Sequence, residues 1–169
     1  MEIFRITKKS NTGFLKNFLF YLLLTLIGTP AIMYFKRGGI DIESFLWISL
    51  PFFTIFFLIP TLVIHLNYYY LNRGMKVYYE ESKKQLRVAG KLSDITFYTS
   101  DIQSVTEVKT PPKAENRNMI FPWDEYHYSL VELKNGEKFY FTSLILPNLN
   151  LPIDKSKITL KKRFYPAIW

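Results

Sequence analysis

The chain has 169 residues, a formal net charge of +8 and no cysteine. The absence of cysteine excludes disulfides, thiolate zinc sites, iron–sulfur clusters and cysteine nucleophiles. The excess of basic residues is too mild to indicate a nucleic-acid-binding protein, and it suits a domain that lies beside an anionic membrane surface.

Two uncharged stretches in the first half of the chain predict membrane-spanning helices. No Asp, Glu, Lys or Arg occurs in residues 17–35 or in residues 44–72. A bilayer core about 30 Å thick requires about 20 apolar residues of helix, so each stretch is long enough to cross it. Residues 1–16 are then a basic amino-terminal segment, residues 17–35 and 44–70 are the two spans, and residues 36–43 are a short link.

The distribution of Lys and Arg predicts the orientation of these spans. Four basic residues precede the first span, two lie in the link, and five follow the second span closely. By the positive-inside rule, both termini are cytoplasmic in a multi-pass protein of the inner membrane. Aromatic residues mark the two interfaces, with Tyr68, Tyr69 and Tyr70 as cytoplasmic anchors and Trp47 as the anchor on the opposite side.

Polar residues within the spans are few. The lack of charged residues argues against an ion pathway made by this chain alone, and His65 is interpreted as an interfacial polar residue.

No A-x-A cleavage site follows the first stretch, which favours a retained span over a signal peptide. Pro51 and Pro60 each remove a backbone donor and predict a kink near residues 56–60.

Residues 73–169 predict a β domain. Alternating apolar and polar residues indicate six strands, which are residues 75–79, 85–89, 94–99, 102–108, 128–133 and 138–142. The dipeptide Asn135-Gly136 predicts a type I′ turn between the last two strands. Short strands with hairpin spacing predict an antiparallel sandwich or open barrel.

The order of these elements resembles a known family. After the two spans, the segments ITF (95–97), SDIQSV (100–105) and YSLVELKNGEKFYFTSLILPNL (128–149) resemble bacterial membrane-anchored proteins with a pleckstrin-homology-like (PH-like) domain. The resemblance implies a bent sheet, usually closed by a C-terminal helix, and it brings no known chemistry. The expected fold class is therefore a membrane α-helical hairpin plus a mainly antiparallel β domain, a PH-like bent sheet or open barrel.

The sequence departs from that family pattern in two places. Residues 155–163 have room only for a short C-terminal helix of one or two turns, or for an extra strand around residues 158–160. The lipid-head-group signature is incomplete, because Lys83, Lys84 and Arg87 lie in the first predicted hairpin without the Lys/Arg-x-Arg ending.

No catalytic, cofactor or metal site is predicted. The cluster Asp124-Glu125-Tyr126-His127 offers two carboxylates and an imidazole, but neither HExxH spacing nor a second ligand pair accompanies it. We interpret the cluster as the polar beginning of a strand. The chain contains no P-loop, dinucleotide fingerprint or G-x-S-x-G motif, so the sequence does not indicate an enzyme.

Two segments are predicted to contact a partner or the membrane. A basic tail places cations beside aromatic residues, and such a segment can lie on anionic lipid. A solvated strand face is the alternative for this tail. A long loop is predicted over residues 109–124. Its apolar segment, residues 119–123, is predicted to form a second contact, with a lid folded over the sheet as the alternative. The predicted contact residues are Phe121 and Trp123 in the loop and Lys155, Lys157, Lys161, Lys162, Arg163 and Trp169 in the tail.

These observations predict a non-enzymatic interaction module anchored in the membrane, an accessory subunit or scaffold that presents a PH-like domain at the cytoplasmic surface. The alternative is a sensor of anionic lipid surfaces that uses the basic tail. The predicted partners are the lipid bilayer and other membrane or cytoplasmic proteins, without nucleic acid. Neither span has a GxxxG pair, and homo-oligomer formation through the spans stays open.

Overall fold

The computed structural model describes residues 2–39, 41–90, 94–147 and 153–168. A short first strand precedes two long helices, and the remaining strands follow them. The strands are β1 (Glu2–Arg5), β2 (Lys76–Glu80), β3 (Gln85–Ala89), β4 (Asp94–Tyr98), β5 (Ile102–Lys109), β6 (His127–Leu133), β7 (Lys138–Thr142) and β8 (Ile158–Lys162). The helices are α1 (residues 8–37), α2 (residues 42–72) and the short α3 (Pro111–Ala114).

Helices α1 and α2 are long and apolar enough to cross a membrane, judged by length and composition alone. The qualifying stretches are Ser10–Lys36, with a mean hydropathy of 1.9, and Phe45–Asn72, with a mean hydropathy of 2.1. At its start, α1 is capped by the side chains of Thr7 and Ser10, each of which accepts a hydrogen bond from the other residue's backbone N–H. Gly38 ends α1 in the left-handed conformation, at φ 75°.

Three π-helical segments interrupt the long helices, Leu24–Gly28, Phe45–Ser49 and Thr54–Leu58. Each of them ends two residues before a proline. A proline ring collides with the carbonyl group four residues earlier, and a wider turn relieves that collision. The predicted kink at residues 56–60 therefore coincides with a real irregularity of α2, the π-helical segment before Pro60.

The first sheet has the strand order β1-β2-β3-β4 and is antiparallel throughout. In the pairing of β1 with β2, Phe4 lies opposite Val77 and packs into the core. The sequence predicts only a basic segment for residues 1–16 and a β domain that begins at residue 73, so strand β1 is an addition made by the structure. A strand of four residues next to a lysine-rich stretch shows too little alternation to be recognised.

This pairing changes the topology that the sequence suggested. The β domain begins before the helices, and the connection from β1 to β2 contains both α1 and α2. The predicted hairpin that contains Lys83, Lys84 and Arg87 is β2–β3. It is the second antiparallel pair of the sheet rather than the first.

The second sheet has the strand order β7-β6-β5-β8, in which only the described pair β5–β8 is parallel. The six predicted strands are present as β2 to β7, with bounds that differ by at most one residue. Of the two alternatives for residues 155–163, the extra strand is confirmed as β8, and a single 3₁₀ turn, Lys155–Lys157, precedes it.

The turn between β6 and β7 differs from the predicted type I′ turn. Gly136 has φ 87°, whereas Asn135 keeps a negative φ. The N–H of Gly136 donates to the carbonyl of Leu133, and the N–H of Leu133 donates to the carbonyl of Glu137, both at 2.9 Å. This is a three-residue connection with a bulge at the glycine, so the type I′ prediction is wrong. The Asn135 side chain accepts from the N–H of Glu137 at 3.0 Å and stabilises this alternative.

Both faces of the second sheet are covered, and the side chains of β6 are accordingly buried or partly buried on both sides. One face packs against the first sheet. The other is covered by the end of α2, the long loop before β6 and the residues after β8, 164–168, which we call the C-terminal segment. The buried residues between the sheets include Val77, Leu86, Val88, Phe97, Val105, Val131, Phe139 and Phe141. The buried residues on the other face are Ile64, Tyr68, Val108, Trp123, Tyr126, Tyr128, Leu144 and Ala167.

Candidate functional site

The end of α2 is fixed to the second sheet by buried hydrogen bonds. Asn72 is 1% exposed, and its Nδ2 donates to the backbone carbonyl of Tyr140 at 2.9 Å. Its Oδ1 accepts from the backbone N–H of Thr142 at 3.0 Å and from the Thr142 hydroxyl at 2.6 Å. Because α2 cannot rotate without losing these bonds, the helix and the sheet are held in one relative orientation.

The C-terminal segment lies along the same part of α2. The Tyr68 hydroxyl donates to the carbonyl of Pro166 at 2.6 Å. The adjacent residue, Asn67, bonds both the N–H and the carbonyl of Ile168 through its side chain, each at 3.0 Å. These contacts place the chain end against the helix, so the last turns of α2 are part of the β domain's core.

The predicted interface anchors fall into different environments. Tyr68 is 0% exposed, so it is a core residue and not an anchor at the membrane surface. Tyr69 is half-buried, and the guanidinium of Arg73 lies 5.9 Å from its ring centroid. Tyr70 is exposed, and Trp47, near the other end of α2, is 76% exposed. An anchoring role for these three residues stays a prediction.

His65 connects three parts of the chain. Its Nε2 lies 3.1 Å from Oδ1 of Asn11 in α1, and its Nδ1 lies 2.9 Å from the hydroxyl of Tyr126 in the long loop. An amide oxygen can only accept, so Nε2 carries the hydrogen and Nδ1 accepts from Tyr126. Burial, reinforced by the charge of Glu125, raises the pKa of Tyr126 well above its usual range, which keeps this hydroxyl protonated as a donor. His65 is thus a buried connector rather than the interfacial residue that the sequence suggested.

The apolar loop segment folds against α2 and the C-terminal segment. The Trp123 ring stacks on Phe121, with centroids 4.8 Å apart and planes at 8°, and lies 5.1 Å from the ring of Tyr165. Phe57 of α2 lies 6.1 Å from Phe121 and 6.3 Å from Trp123. Phe164 completes the cluster, 5.2 Å from Phe121. The structure therefore shows the lid arrangement of the two alternatives for this segment.

This arrangement corrects the predicted contact residues of the loop. Trp123 is only 1% exposed, so it does not form the exposed contact that the sequence predicted, and Phe121 is half-buried. The exposed residues of the segment are Met119 and Ile120, which the sequence analysis did not single out. The sequence signal for this site was the apolar run itself. Within the run, the large aromatic rings gain most from burial, and the aliphatic side chains stay exposed.

Asp124 organises this loop. Its Oδ2 accepts from the backbone N–H groups of Ile120 and Phe121, both at 2.8 Å, and its carbonyl accepts from the Thr110 hydroxyl at 3.0 Å. Its neighbours in the cluster point elsewhere, since Tyr126 contacts His65. Among the described residues, no group of three or more His, Asp or Glu side chains is placed to hold a metal ion.

A cleft of about 560 Å³ lies between the start of α1 and the long loop. Its lining mixes polar and apolar groups, including the partly buried Lys113. The lining residues are Thr7, Ser10, Gly13, Lys113, Met119, Pro122, Glu125, Tyr126, His127, Ser143, Leu144 and Pro147. Burial and the nearby charge of Lys113 lower the pKa of His127 to about 4, while a bond from Nδ1 to the carbonyl of Glu125 at 3.1 Å opposes that shift. His127 is therefore neutral at pH 7.

We expect the folded chain to lose stability between pH 6.5 and pH 4 because of His127. Unfolding returns its pKa to the ordinary value near 6.5, so in this window the unfolded state binds a proton that the folded state does not. Between pH 7 and pH 5 the loss is about 2 kcal/mol. Thermal unfolding of the full chain in detergent at both pH values measures it, and His127→Gln should show a smaller decrease. Equal decreases in the two proteins would contradict the assignment.

The basic tail is divided between internal bonds and free surface. Lys162 pairs with Glu115 at 2.8 Å, and the Lys157 ammonium donates to the carbonyl of Ile102 at 2.7 Å. The other three cations, Lys155, Lys161 and Arg163, are exposed and form no ion pair within the part of the chain that the structure describes. Trp169, the last predicted contact residue, lies outside the described residues.

Comparison with known proteins identifies one family. Residues 3–152 match the model of a family described as a PH domain. The matched stretch begins in β1, includes both long helices and extends beyond β7. It covers nearly all of the first sheet, the inserted helices and strands β5, β6 and β7 of the second sheet, and it ends before β8. No curated protein and no solved structure matches the chain significantly.

Proposed function

This chain belongs to the PH domain family, and from that premise we propose that it is a non-enzymatic interaction module anchored in the cytoplasmic membrane. Helices α1 and α2 cross the bilayer with both chain ends in the cytoplasm. The β domain is presented at that surface, and the protein acts as an accessory subunit or scaffold for other membrane or cytoplasmic proteins.

The exposed apolar surface of the helices supports membrane crossing. Ile27 in the middle of α1 is 65% exposed, and Phe20 and Leu23 are exposed beside it. Soluble monomers rarely expose continuous apolar surfaces of this kind, and lipid would cover them. From Lys16 to Lys36, α1 rises about 30 Å, which is the thickness of a bilayer core.

The attachment of α2 to the second sheet is the observation that carries the proposal. Counted from Phe45, about 20 residues of helix reach Ile64, and the turns beyond it lie in the β domain. One helix therefore serves as membrane anchor and as part of the domain core. The bonds of Asn72 and Tyr68 fix how the domain is turned relative to the membrane. A fixed orientation suits a module that presents one surface to a partner.

The outer face of the first sheet is the surface that we assign to a protein partner. The second sheet separates this face from α2, so the helices leave it open. Ile3 and Tyr98 are about half exposed there, and the guanidinium of Arg87 lies 5.9 Å from the ring centroid of Tyr78. Exposed aromatic, aliphatic and arginine side chains of this kind are enriched at protein interfaces.

Purification of the full chain in mild detergent, with mass spectrometry of co-purifying proteins, tests the proposal. We expect one or more partners with the wild type and their loss from the double variant Ile3→Ser and Tyr98→Ser. Leu160→Ser removes an exposed apolar side chain from β8 and serves as the matched control, which should keep the partners. A protein that emerges alone and monomeric would contradict the scaffold function.

A second candidate function, sensing of anionic lipid surfaces, is supported by the exposed cations of the basic tail. Lys155, Lys161 and Arg163 are available to head groups, each worth about 1 kcal/mol near such a surface. Isolation of the chain without any protein partner would favour this function over the first.

A further inference from the structure

Four apolar side chains are exposed together at the edge of the β domain nearest the middle of the helices. We call this group, formed by Met119, Ile120, Phe164 and Tyr165, the apolar tip. Ile120 is 62% exposed, and the other three are also exposed. Phe121 and Trp123 join its two segments, because Phe121 contacts the ring of Phe164 and Trp123 contacts the ring of Tyr165.

The contacts of the tip with both helices fix its height along them. The hydroxyl of Tyr21 donates to the carbonyl of Ile120, and Tyr21 lies about 8 Å along α1 beyond Lys16, the last charged residue before the uncharged stretch. On α2, Phe57 contacts Phe121 and lies about 18 Å from Phe45, which is about 12 Å short of the far side of a 30 Å core. Both helices therefore place the tip inside the slab that they define.

The backbone groups of Ile120 and Phe121 are hydrogen-bonded within the chain. The N–H groups of Ile120 and Phe121 both donate to Asp124, and the carbonyl of Phe121 accepts from the N–H of Asp124 at 3.0 Å. The carbonyl of Ile120 is bonded by Tyr21, and Pro122 has no N–H. Irregular backbone within a bilayer must find its partners inside the protein, since the hydrocarbon offers none. Ile120 and Phe121 meet that requirement through Asp124 of the loop and Tyr21 of α1.

Basic residues flank both segments of the tip along the chain. Arg163 directly precedes Phe164, and Lys161 lies two residues before Arg163 on β8. Arg117, which pairs with Glu115 at 2.6 Å, lies two residues before Met119. All three side chains are exposed. Apolar residues bordered by cations match the acyl chains and anionic head groups of one leaflet, where an inserted surface is buried about 5–10 Å.

We propose that the apolar tip inserts into the cytoplasmic leaflet as a third membrane contact of this protein, covered by acyl chains. The inference rests on the proposed function in one respect, namely that α1 and α2 cross the membrane. It adds that the PH domain is partly immersed in lipid rather than held above the surface. The tip would then stop the domain from tilting away from the bilayer.

Depth-dependent quenching of single-cysteine variants tests this insertion. The chain has no cysteine, so Ile120→Cys, Ile27→Cys and Ser82→Cys can each carry one fluorescent label. The full-length variants are reconstituted in vesicles of phosphatidylcholine and phosphatidylglycerol that contain a lipid quencher, either near the head group or near the acyl-chain end. Iodide in the buffer reports access from water. Ile27 tests the crossing of α1, and Ser82, in the exposed turn after β2, is the aqueous control.

We expect the label at Ile120 to lose several times more fluorescence to the shallow lipid quencher than the label at Ser82, and to be shielded from iodide. The label at Ile27 should respond mainly to the deep quencher. If a lipid quencher reduces the fluorescence of the label at Ile27 while iodide quenches the label at Ile120, insertion of the tip is refuted. The proposed anchoring by α1 and α2 then still stands. If the label at Ile120 is shielded from iodide and from the lipid quenchers alike, another part of a protein covers it, and insertion is also refuted. A label at Ile27 that no lipid quencher reaches would overturn the anchoring and the insertion together.

Discussion

Replacing Trp123 by alanine is expected to destabilise the folded chain by about 3–5 kcal/mol, as for other large aromatic residues removed from a core. The indole is almost fully buried and contacts the rings of Phe57, Phe121 and Tyr165. Its loss leaves a cavity where the long loop, α2 and the C-terminal segment meet. Near-ultraviolet circular dichroism during thermal unfolding of the full chain in detergent measures the effect.

Two further variants separate a packing role of Trp123 from a contact role. Its Nε1 has no hydrogen-bond partner within the described residues, so Trp123→Phe should keep most of the stability. Ile120→Ala shortens an exposed neighbour in the same loop and should leave the unfolding temperature nearly unchanged. If Trp123→Ala were as stable as Ile120→Ala, the lid arrangement of the loop would be refuted.

Replacing Asn72 by alanine is expected to cost several kcal/mol, at about 1–3 kcal/mol for each buried group left without a partner. The groups affected are the carbonyl of Tyr140 and the N–H and hydroxyl of Thr142. Because these bonds end α2 against β7, the variant should also loosen the helix from the sheet. Thermal unfolding gives the stability, and limited proteolysis near residue 73 reports the loosening.

Asn135 provides a matched control for this prediction. Its side chain makes two hydrogen bonds, to the N–H and the carboxylate of Glu137, whereas Asn72 makes three to β7, and Asn135 lies in an exposed turn. Water can replace those bonds, so Asn135→Ala should change the stability by a few tenths of a kcal/mol up to about 1 kcal/mol. Equal effects at the two positions would show that the bonds of Asn72 do not hold the helix to the sheet.

Much of the local structure followed from the sequence. The uncharged residues 17–35 and 44–72 form long helices, because an apolar run of that length satisfies its backbone groups within one segment only as a helix. Strands β2 to β7 followed from period-two alternation, which is a local signal. The matching family also agrees with the PH-like domain that the order of strands suggested.

The site was only partly predictable. Residues 119–123 were recognised as unusual because an apolar run interrupts a polar loop. The predicted contact residues, however, were Phe121 and Trp123, whereas the exposed residues are Met119 and Ile120. Burial of Trp123 depends on Phe57 and Tyr165, which lie far away along the chain. No local pattern reports such a meeting. The same holds for His65, whose partners Asn11 and Tyr126 come from two other elements.

The sequence by itself determined the two long apolar helices and the β character of the second half, because hydrophobic periodicity and charge distribution are encoded residue by residue. The tertiary structure alone decided that Glu2–Arg5 completes the first sheet, that β8 runs parallel to β5, and that Tyr68 and the end of α2 lie in a protein core. The physical reason is that strand pairing joins distant segments. The apolar surface of a helix, moreover, can be covered equally well by lipid or by a sheet. Only the packing therefore shows which of them covers each turn.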